Sequence, residues 1–250
     1  MLIEVVSPTP ILNTSRFSFV FGGSNGHEIP LNERGHPFHY EFVALKETIF
    51  QIEEVLEQDQ ALIYKVSCSF YPKKGLYIDS RFTKQTNQFK IPKMPEPQNI
   101  LERIKKMKGL PYVWGGNWSA GVPDLLSFYP PKKQIDLKTQ ILWTLKGVDC
   151  SGLLYEATDG ASPRNTHQLI YFGSSLKNLS DLQPLDMIVY PGHVLFVLDN
   201  QTIIESKFPY GVIERSLTER LDEILKTRQK VDEWDPILDP EKHFTVRRFI

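Results

Sequence analysis

The chain has 250 residues, 41% hydrophobic and 24% charged, long enough for one large domain or two smaller ones and ordinary in composition for a globular protein. Its 29 basic and 30 acidic residues leave a formal charge of −1, which excludes the global positive field of a nucleic-acid-binding chain. Two cysteines exclude a disulfide framework, no Cys/His spacing resembles a zinc site, and no apolar run reaches the ~18 residues of a membrane span. Met1 to Pro8 carries neither a basic n-region nor an apolar h-region, so the chain, taken as complete, is expected to be cytoplasmic, with no membrane or nucleic-acid partner.

In chain order, residues 2–90 read as β structure. Short apolar or β-branched runs (Leu2 to Val6, Phe17 to Phe21, Phe42 to Leu45, Thr48 to Ile52, Ala61 to Ser67, Gly75 to Ile78) are separated by Pro, Gly and Asn clusters. That spacing predicts a small barrel. The Pro-rich stretch 91–98 can continue neither a helix nor an interior strand and marks a domain boundary. Asn99 then caps a helix whose Ile100, Leu101, Ile104 and Met107 recur at helical spacing before Gly109 and Pro111 end it. The interval from Asn117 to Lys146 has a helical pattern only over Asp136 to Leu145 and is long for a connection, as functional loops are. The remainder reads as α+β. A helix follows Cys150; Asp186 to Tyr190, His193 to Leu198 and Thr202 to Glu205 are strands, with Asp199-Asn200 turning between the last two. Ser216-Leu217-Thr218-Glu219 opens a capped helix through Leu225, with Leu217, Leu221, Ile224 and Leu225 on one side, and Phe244 to Val246 is a closing strand.

The run Gly147-Val148-Asp149-Cys150-Ser151-Gly152-Leu153 places a cysteine where a helix starts. Asp149 and Ser151 are helix-start residues, so unpaired N–H groups and the positive end of the dipole favour the thiolate. A free thiol titrates near ~8.5, and a helix end with an imidazolium partner brings it to roughly 3.5–7.5. His193 is the candidate partner. With the turn centred near Asp199-Asn200, residue 205 or 206 lies opposite His193, so the Glu205 carboxylate can accept the second imidazole N–H, fix the tautomer and favour imidazolium. Asp186 and Asp199 are alternative orienting groups, although the turn already explains Asp199. A thiol nucleophile with an imidazole base needs no metal or organic cofactor.

Five motifs occur in order: Tyr112-Val113-Trp114-Gly115-Gly116, Asp149-Cys150-Ser151-Gly152, Ser162-Pro163-Arg164-Asn165-Thr166-His167-Gln168, Pro184-Leu185-Asp186-Met187-Ile188, and His193-Val194 with a polar residue at 205. Together they resemble the NlpC family of bacterial cell-wall peptidases over roughly residues 99–250. The resemblance implies a papain-like catalytic domain with Cys150 as nucleophile, His193 as general base and acid, and Glu205 as orienting residue. It places Asp149, Ser151, Trp114, Thr166 and Asn165 near substrate, and leaves Arg164 either structural or paired with a substrate carboxylate. Residues 1–90 resemble the bacterial SH3-like domains fused to members that act on released stem peptides. In those relatives the barrel narrows the cleft and binds the free amine of an N-terminal L-alanine, and Glu47 and Tyr71 fall near the amine-binding positions. The implied activity is hydrolysis of the bond between γ-D-glutamate and diaminopimelate or lysine in peptidoglycan-derived peptides, in muropeptide recycling or degradation. A broader wall hydrolase, an amidase or acyltransferase on the same fold, or a non-catalytic muropeptide-binding protein are the alternatives. Three departures stand out. Glu205 replaces the usual His, Asn or Gln, and its full charge is expected to hold the imidazolium firmly and raise the pH optimum. Leu185 and Leu195 stand where Gly is common, and the 117–146 interval is a longer insertion, expected to form a lid or to reshape the leaving-group side of the pocket.

Overall fold

The computed structural model describes residues 1–58 and 61–250. Its strands are β1 (Leu2–Val5), β2 (Thr9–Leu12), β3 (Tyr40–Ala44), β4 (Ile49–Gln58), β5 (Ala61–Ser67), β6 (Leu76–Asp79), β7 (Thr83–Thr86), β8 (Asn117–Trp118), β9 (Gly147–Val148), β10 (Ser174–Ser175), β11 (Met187–Tyr190), β12 (His193–Val197), β13 (Thr202–Lys207), β14 (Gly211–Ser216), β15 (Gln229–Lys230) and β16 (His243–Arg248). The helices are α1 (Phe17–Val20), α2 (Pro97–Lys106), α3 (Asp124–Phe128), α4 (Leu137–Trp143), α5 (Gly152–Ala157), α6 (Thr166–Leu169) and α7 (Leu217–Leu225). The chain divides into two compact units, Met1–Pro92 with Val113–Val148, and Lys93–Tyr112 with Asp149–Ile250.

The first unit carries an antiparallel sheet of order β3-β2-β6-β5-β4-β1-β7. Among the described residues no pairing joins β3 to β7, so the sheet is open and the expected closed SH3-like barrel is not formed by its strand pairing. The outer edge of β3 is occupied instead by a side chain. The buried Asn117 amide accepts from the Val43 N–H and donates to the Val43 carbonyl, both at 2.8 Å, so one amide satisfies two backbone groups at that edge.

Residues 113–148 differ from their expected place as an insertion in the second domain: they complete the core of the first unit. Leu12, Phe17, Phe21, Val43 and Ile63 form one buried cluster with Val122, Leu125, Tyr129, Trp143 and Leu145. Polar ties reinforce it. The Trp143 Nε1 donates to the Tyr129 carbonyl at 3.1 Å, the Tyr129 hydroxyl to Asp79 at 2.7 Å, and the Tyr40 hydroxyl to the Leu142 carbonyl at 2.9 Å. An element whose largest side chain is fully buried in that core does not have the exposure of a lid. Within it, the glycines of Trp114-Gly115-Gly116 are required by geometry. Gly115 has φ +75°, and a Cβ on Gly116 would stand 2.5 Å from the Gly147 carbonyl oxygen. Phe17 to Phe21, expected as a strand, forms α1, because Phe17, Val20 and Phe21 fall at i, i+3 and i+4 and bury one helical face.

In the second unit α2 begins at Pro97, two residues before the expected cap; proline fits the first helical position, where its missing N–H costs no bond. Its buried Ile100 and Ile104 pack the helix against α5. The sheet has order β10-β16-β11-β12-β13-β14, with β15 parallel to β16. Ile188, Leu195, Val197, Ile203, Phe244 and Val246 from its strands bury against Leu217 and Ile224 of α7. Leu225, expected on that face, is exposed. Leu185 keeps the backbone that a glycine would adopt, with φ 74°, and its N–H still donates to the Val197 carbonyl at 2.8 Å. The left-handed backbone costs a non-glycine residue roughly 1–2 kcal/mol, which burial of the leucine side chain offsets. No helix among the described residues is long and apolar enough to cross a membrane.

Replacing Asn117 by leucine removes both bonds to Val43 and leaves two backbone groups facing an apolar side chain. The expected result is a loss of about 2–4 kcal/mol in unfolding free energy, read as a lowered urea midpoint.

Candidate active site

Cys150 stands at the entry to α5, and an ion pair fixes that entry. The Asp149 carboxylate accepts from the Gly152 N–H at 2.7 Å, capping the first turn, and from the Ser151 hydroxyl at 3.2 Å. Arg164 grips the same carboxylate with both terminal nitrogens, Nη1 to Oδ1 at 3.0 Å and Nη2 to Oδ2 at 2.7 Å, and Nη1 also donates to the Ser151 hydroxyl at 2.9 Å. The helix stops at Asp159 and Gly160, both at positive φ, and the Thr158 hydroxyl donates to the Leu154 carbonyl and accepts from the Ser162 N–H. That turn delivers Arg164 back to the helix start. Asp149, Ser151 and Arg164 therefore hold the backbone of Cys150 through one another.

The thiol does not have the depressed pKa expected for a helix end. Cys150 is 8% exposed, and burial, reinforced by the Asp149 charge, pushes its pKa up to about 12 against the N–H groups of Val194 and Ser151 and the Arg164 charge, which lower it. Two local facts explain the difference. Helix α5 has only six residues, and the Asp149 carboxylate, which takes the Gly152 N–H, sets a negative charge at its start.

His193 is placed by a two-residue turn. Tyr190 pairs with His193 across Pro191-Gly192, with Pro at the first central position and Gly at φ +91° at the second, the chemistry of a type II turn. The Gly192 N–H donates to the Thr166 hydroxyl at 3.0 Å, so α6, capped by the Asn165 side chain on the Gln168 N–H, pins this turn. Thr166 and Asn165 thus shape the turn that carries His193. The Cys150 thiol makes a long 3.9 Å contact to the Gly192 carbonyl, and its sulfur also faces the Val194 N–H, so it lies against the backbone on both sides of the histidine.

The imidazole Nε2 meets the Glu205 Oε2 at 2.5 Å. The pairing is diagonal rather than directly opposite. Phe196 faces Ile204 and Val197 faces Ile203, which continued along the strand sets His193 opposite Lys207. The hairpin loop is one residue longer than expected, because the Leu198 N–H reaches the Thr202 carbonyl across Asp199, Asn200 and Gln201. Glu205 lies two residues from that opposite position and so on the same face, within reach of the ring.

Glu205 is wholly inaccessible to solvent, and it is not a lone charge. Its Oε1 accepts from the Arg220 Nε at 3.0 Å, its Oε2 from the Arg220 Nη2 at 3.3 Å, and Arg215 stands 3.7 Å away. Burial pushes its pKa up, but the bonds and charges of His193 and Arg220 outweigh burial and hold it down to about 2. An ionised carboxylate only accepts, so Nε2 carries the proton and Nδ1 is left as the basic nitrogen. The other orienting candidates are engaged elsewhere. Asp186 is gripped by Arg248 at 2.8 and 2.6 Å, and Asp199 accepts from the Gln201 and Thr202 N–H groups within its turn. Arg220 escaped the sequence reading, although it falls between Leu217 and Leu221 on the apolar stripe of α7, where a charge requires a buried partner.

The remaining expected residues belong to the first unit. Trp114 is 45% exposed and stacks on His36 with ring centroids 5.1 Å apart. The Tyr71 hydroxyl does meet a carboxylate, but it is Glu41, at 2.9 Å, rather than Glu47. Glu41 also holds the Lys73 ammonium at 2.6 Å and the Asn13 amide at 3.0 Å. Glu47 sits in a turn at φ 72°, solvent-exposed and paired with Lys90 at 3.0 Å. No cluster of three or more His, Cys, Asp or Glu suited to a metal ion occurs among the described residues.

No protein-family model and no curated protein matches the chain. Among solved structures it is similar to an NlpC/P60 family protein from Bacillus cereus, at 17% identity over 99% of this chain and 63% of that one, with a TM-score of 0.40. It is similar to NlpC2 from Trichomonas vaginalis at 14% identity over 100% and 72% of the two chains, TM-score 0.38. A third is RipD from Mycobacterium tuberculosis, a non-catalytic NlpC/p60 domain protein with an adaptation to peptidoglycan binding, at 17% identity over 62% and 97%, TM-score 0.39. The chain spans less than two thirds of the Bacillus protein.

The sign of the Glu205 shift sets an acid limit on stability. Its folded pKa lies below the ordinary 4.5, so its contribution is complete above about pH 4.5 and is lost as pH falls toward 2. Denaturant titrations at stepped pH are expected to show stability falling over this window by up to about 3 kcal/mol more in the wild type than in Glu205→Gln.

Proposed function

We propose that the second unit is a cysteine hydrolase acting on peptidoglycan-derived peptides, with Cys150 as nucleophile, His193 as base and acid, and Glu205 as orienting residue. The observation that carries this reading is the Nε2 to Glu205 bond. It fixes the tautomer that leaves Nδ1 basic, in a strand-start histidine whose flanking backbone touches the Cys150 sulfur.

Because the resting sulfur is a thiol, attack starts with proton transfer. His193 Nδ1 takes the Sγ proton as sulfur bonds to the scissile carbonyl carbon, and the Cys150 backbone N–H is the assigned donor to the developing oxyanion. The tetrahedral adduct collapses by breaking the C–N bond, and the imidazolium returns its proton to the leaving amine. A water deprotonated by His193 then attacks the thioester, releasing the acid and regenerating the thiol. Glu205 remains ionised throughout, holding the ring and stabilising the transient imidazolium.

The bond assigned is that between γ-D-glutamate and the diamino acid of a released stem peptide, in the degradation or recycling of wall peptides. Recognition of a free N-terminal amine is assigned to the first unit, with Glu41 in the role expected of Glu47. The Glu41 carboxylate, shared by the Tyr71 hydroxyl and the solvent-reaching Lys73, already holds one primary ammonium and has the chemistry to hold another. Asp149 and Ser151, fixed by Arg164, are assigned to the wall of the substrate site beside Cys150.

Incubation with L-Ala-γ-D-Glu-diaminopimelate is expected to release L-Ala-D-Glu, identified by mass spectrometry. Cys150→Ala and His193→Ala should abolish release while retaining the wild-type circular dichroism, and Glu205→Gln should keep a reduced rate. Undiminished release by Cys150→Ala would sink the mechanism. Binding of the tripeptide with no turnover by the wild type would point to a binding protein instead.

A further inference from the structure

The charges around Glu205 come from every element packed against it, with Glu219 facing Arg215 and Lys207 facing Glu223 at the rim. From α7, Arg220 is 7% exposed and gives Nε to Oε1 and Nη2 to Oε2, while its Nη1 reaches Glu223 at 3.2 Å and its Nη2 the Tyr190 hydroxyl at 3.3 Å. From β14, Arg215 approaches Oε1 and forks onto Glu223. From β11, the Tyr190 ring packs 5.7 Å from that of His193, and the Arg228 guanidinium lies over the Tyr190 ring, 4.1 Å from its centroid. From β12 comes His193 itself. Glu205 and Glu223 are thus matched by Arg220 and Arg215 before the histidine is counted.

A bare, fully buried carboxylate 2.5 Å from an imidazole would trap a proton on the ring and spoil it as a base. We propose that Arg220 is a positioning residue of this site, neutralising and orienting Glu205 so that the carboxylate acts on His193 as a fixed hydrogen-bond acceptor rather than as a net negative charge. The pair Glu205–Arg220 thereby does the work of a neutral amide with greater rigidity, since the guanidinium engages both carboxylate oxygens. The expectation that the full charge of Glu205 raises the pH optimum is replaced by a dependence on its arginine. This inference rests on reading Cys150, His193 and Glu205 as the catalytic set.

The test uses the full chain with 15N-labelled histidine, following the His193 ring by NMR across pH and measuring kcat and KM on the tripeptide. Arg220→Met is expected to move the His193 titration midpoint upward by about one pH unit or more and to lower kcat ~10-fold or more, with KM within about twofold. Arg220→Lys keeps the charge and should keep the midpoint, while losing part of kcat with the fork. In the double variant Glu205→Gln with Arg220→Met, the midpoint should return to that of Glu205→Gln alone, because no carboxylate is left to neutralise. A folded Arg220→Met with wild-type midpoint and kcat overturns the proposal, as does an upward shift that persists in the double variant. Should Arg220→Met not fold, the double variant decides: folded and titrating like Glu205→Gln it upholds the proposal, and unfolded it assigns Arg220 a structural role independent of Glu205. The ring titration needs no substrate, so absence of turnover in the wild type would remove the catalytic reading and still leave the role of Arg220 decided.

Discussion

Burial of the Glu205 carboxylate is the constraint on which the second unit turns. An ionised carboxylate removed from water costs several kcal/mol unless its lone pairs find donors, and β13 is buried along Ile203 to Ser206. The donors come from two elements, the imidazole from β12 and the Arg220 guanidinium from α7, and the Arg215 guanidinium of β14 adds its charge at 3.7 Å. The central pairing β12-β13-β14 and the docking of α7 are therefore needed by one charge as well as by the apolar cluster beneath it. A second buried ion pair, Asp149 with Arg164, does for α5 what the first does for the sheet. Cys150 and His193 consequently each have an acid beside them whose charge an arginine balances.

That arrangement changes how the thiol is activated. A standing thiolate needs net positive potential at sulfur, yet the nearest formal charges, Asp149 and Arg164, lie on opposite sides of the balance and burial penalises the anion. Burial therefore favours the thiol over the thiolate, and in the mechanism proposed above the histidine acts as a base in the step that makes the bond. A base of this kind needs a fixed tautomer more than it needs a strong counter-charge, and a carboxylate clamped by a guanidinium supplies the first without the second.

The pairing of His193 with Glu205, and the place of Cys150 at a helix entry, were legible in the sequence because each residue sits in a local pattern: a helix start, a strand start after Pro-Gly, and a hairpin partner on the same face. The register was legible only to within two positions, since a three-residue loop and a two-residue loop leave similar marks and shift the partner of His193. Arg220 had a signal that passed unread, a charge inside an apolar helical stripe. Residues 113–148 had none. Their membership in the first unit rests on the Asn117 amide reaching Val43 and on Trp143 burying among Phe17, Phe21 and Val43, contacts between residues far apart in the chain that no local periodicity encodes. Glu41 was missed for a related reason: in Tyr40-Glu41-Phe42 it reads as the outward residue of an alternating strand, and only the fold brings Tyr71 and Lys73 over it.

A neutral amide at position 205 would need one donor and would leave α7 free to pack by its leucines alone. Glutamate demands more. It requires an arginine at a slot of the helix that would otherwise be apolar, and that arginine in turn is steadied by Glu223 and by the Tyr190 hydroxyl, so the ring of Tyr190 against His193 becomes part of the same network. The outer pairs, made to the exposed Glu223, are individually worth little, since screened surface pairs contribute at most about 1 kcal/mol. The inner members are buried and act as a unit: removing Glu205 strands Arg220, and removing Arg220 strands Glu205. The consequence is a histidine whose environment is set by covalently distant residues on a helix, which couples the electrostatics of the site to the docking of α7 on the sheet.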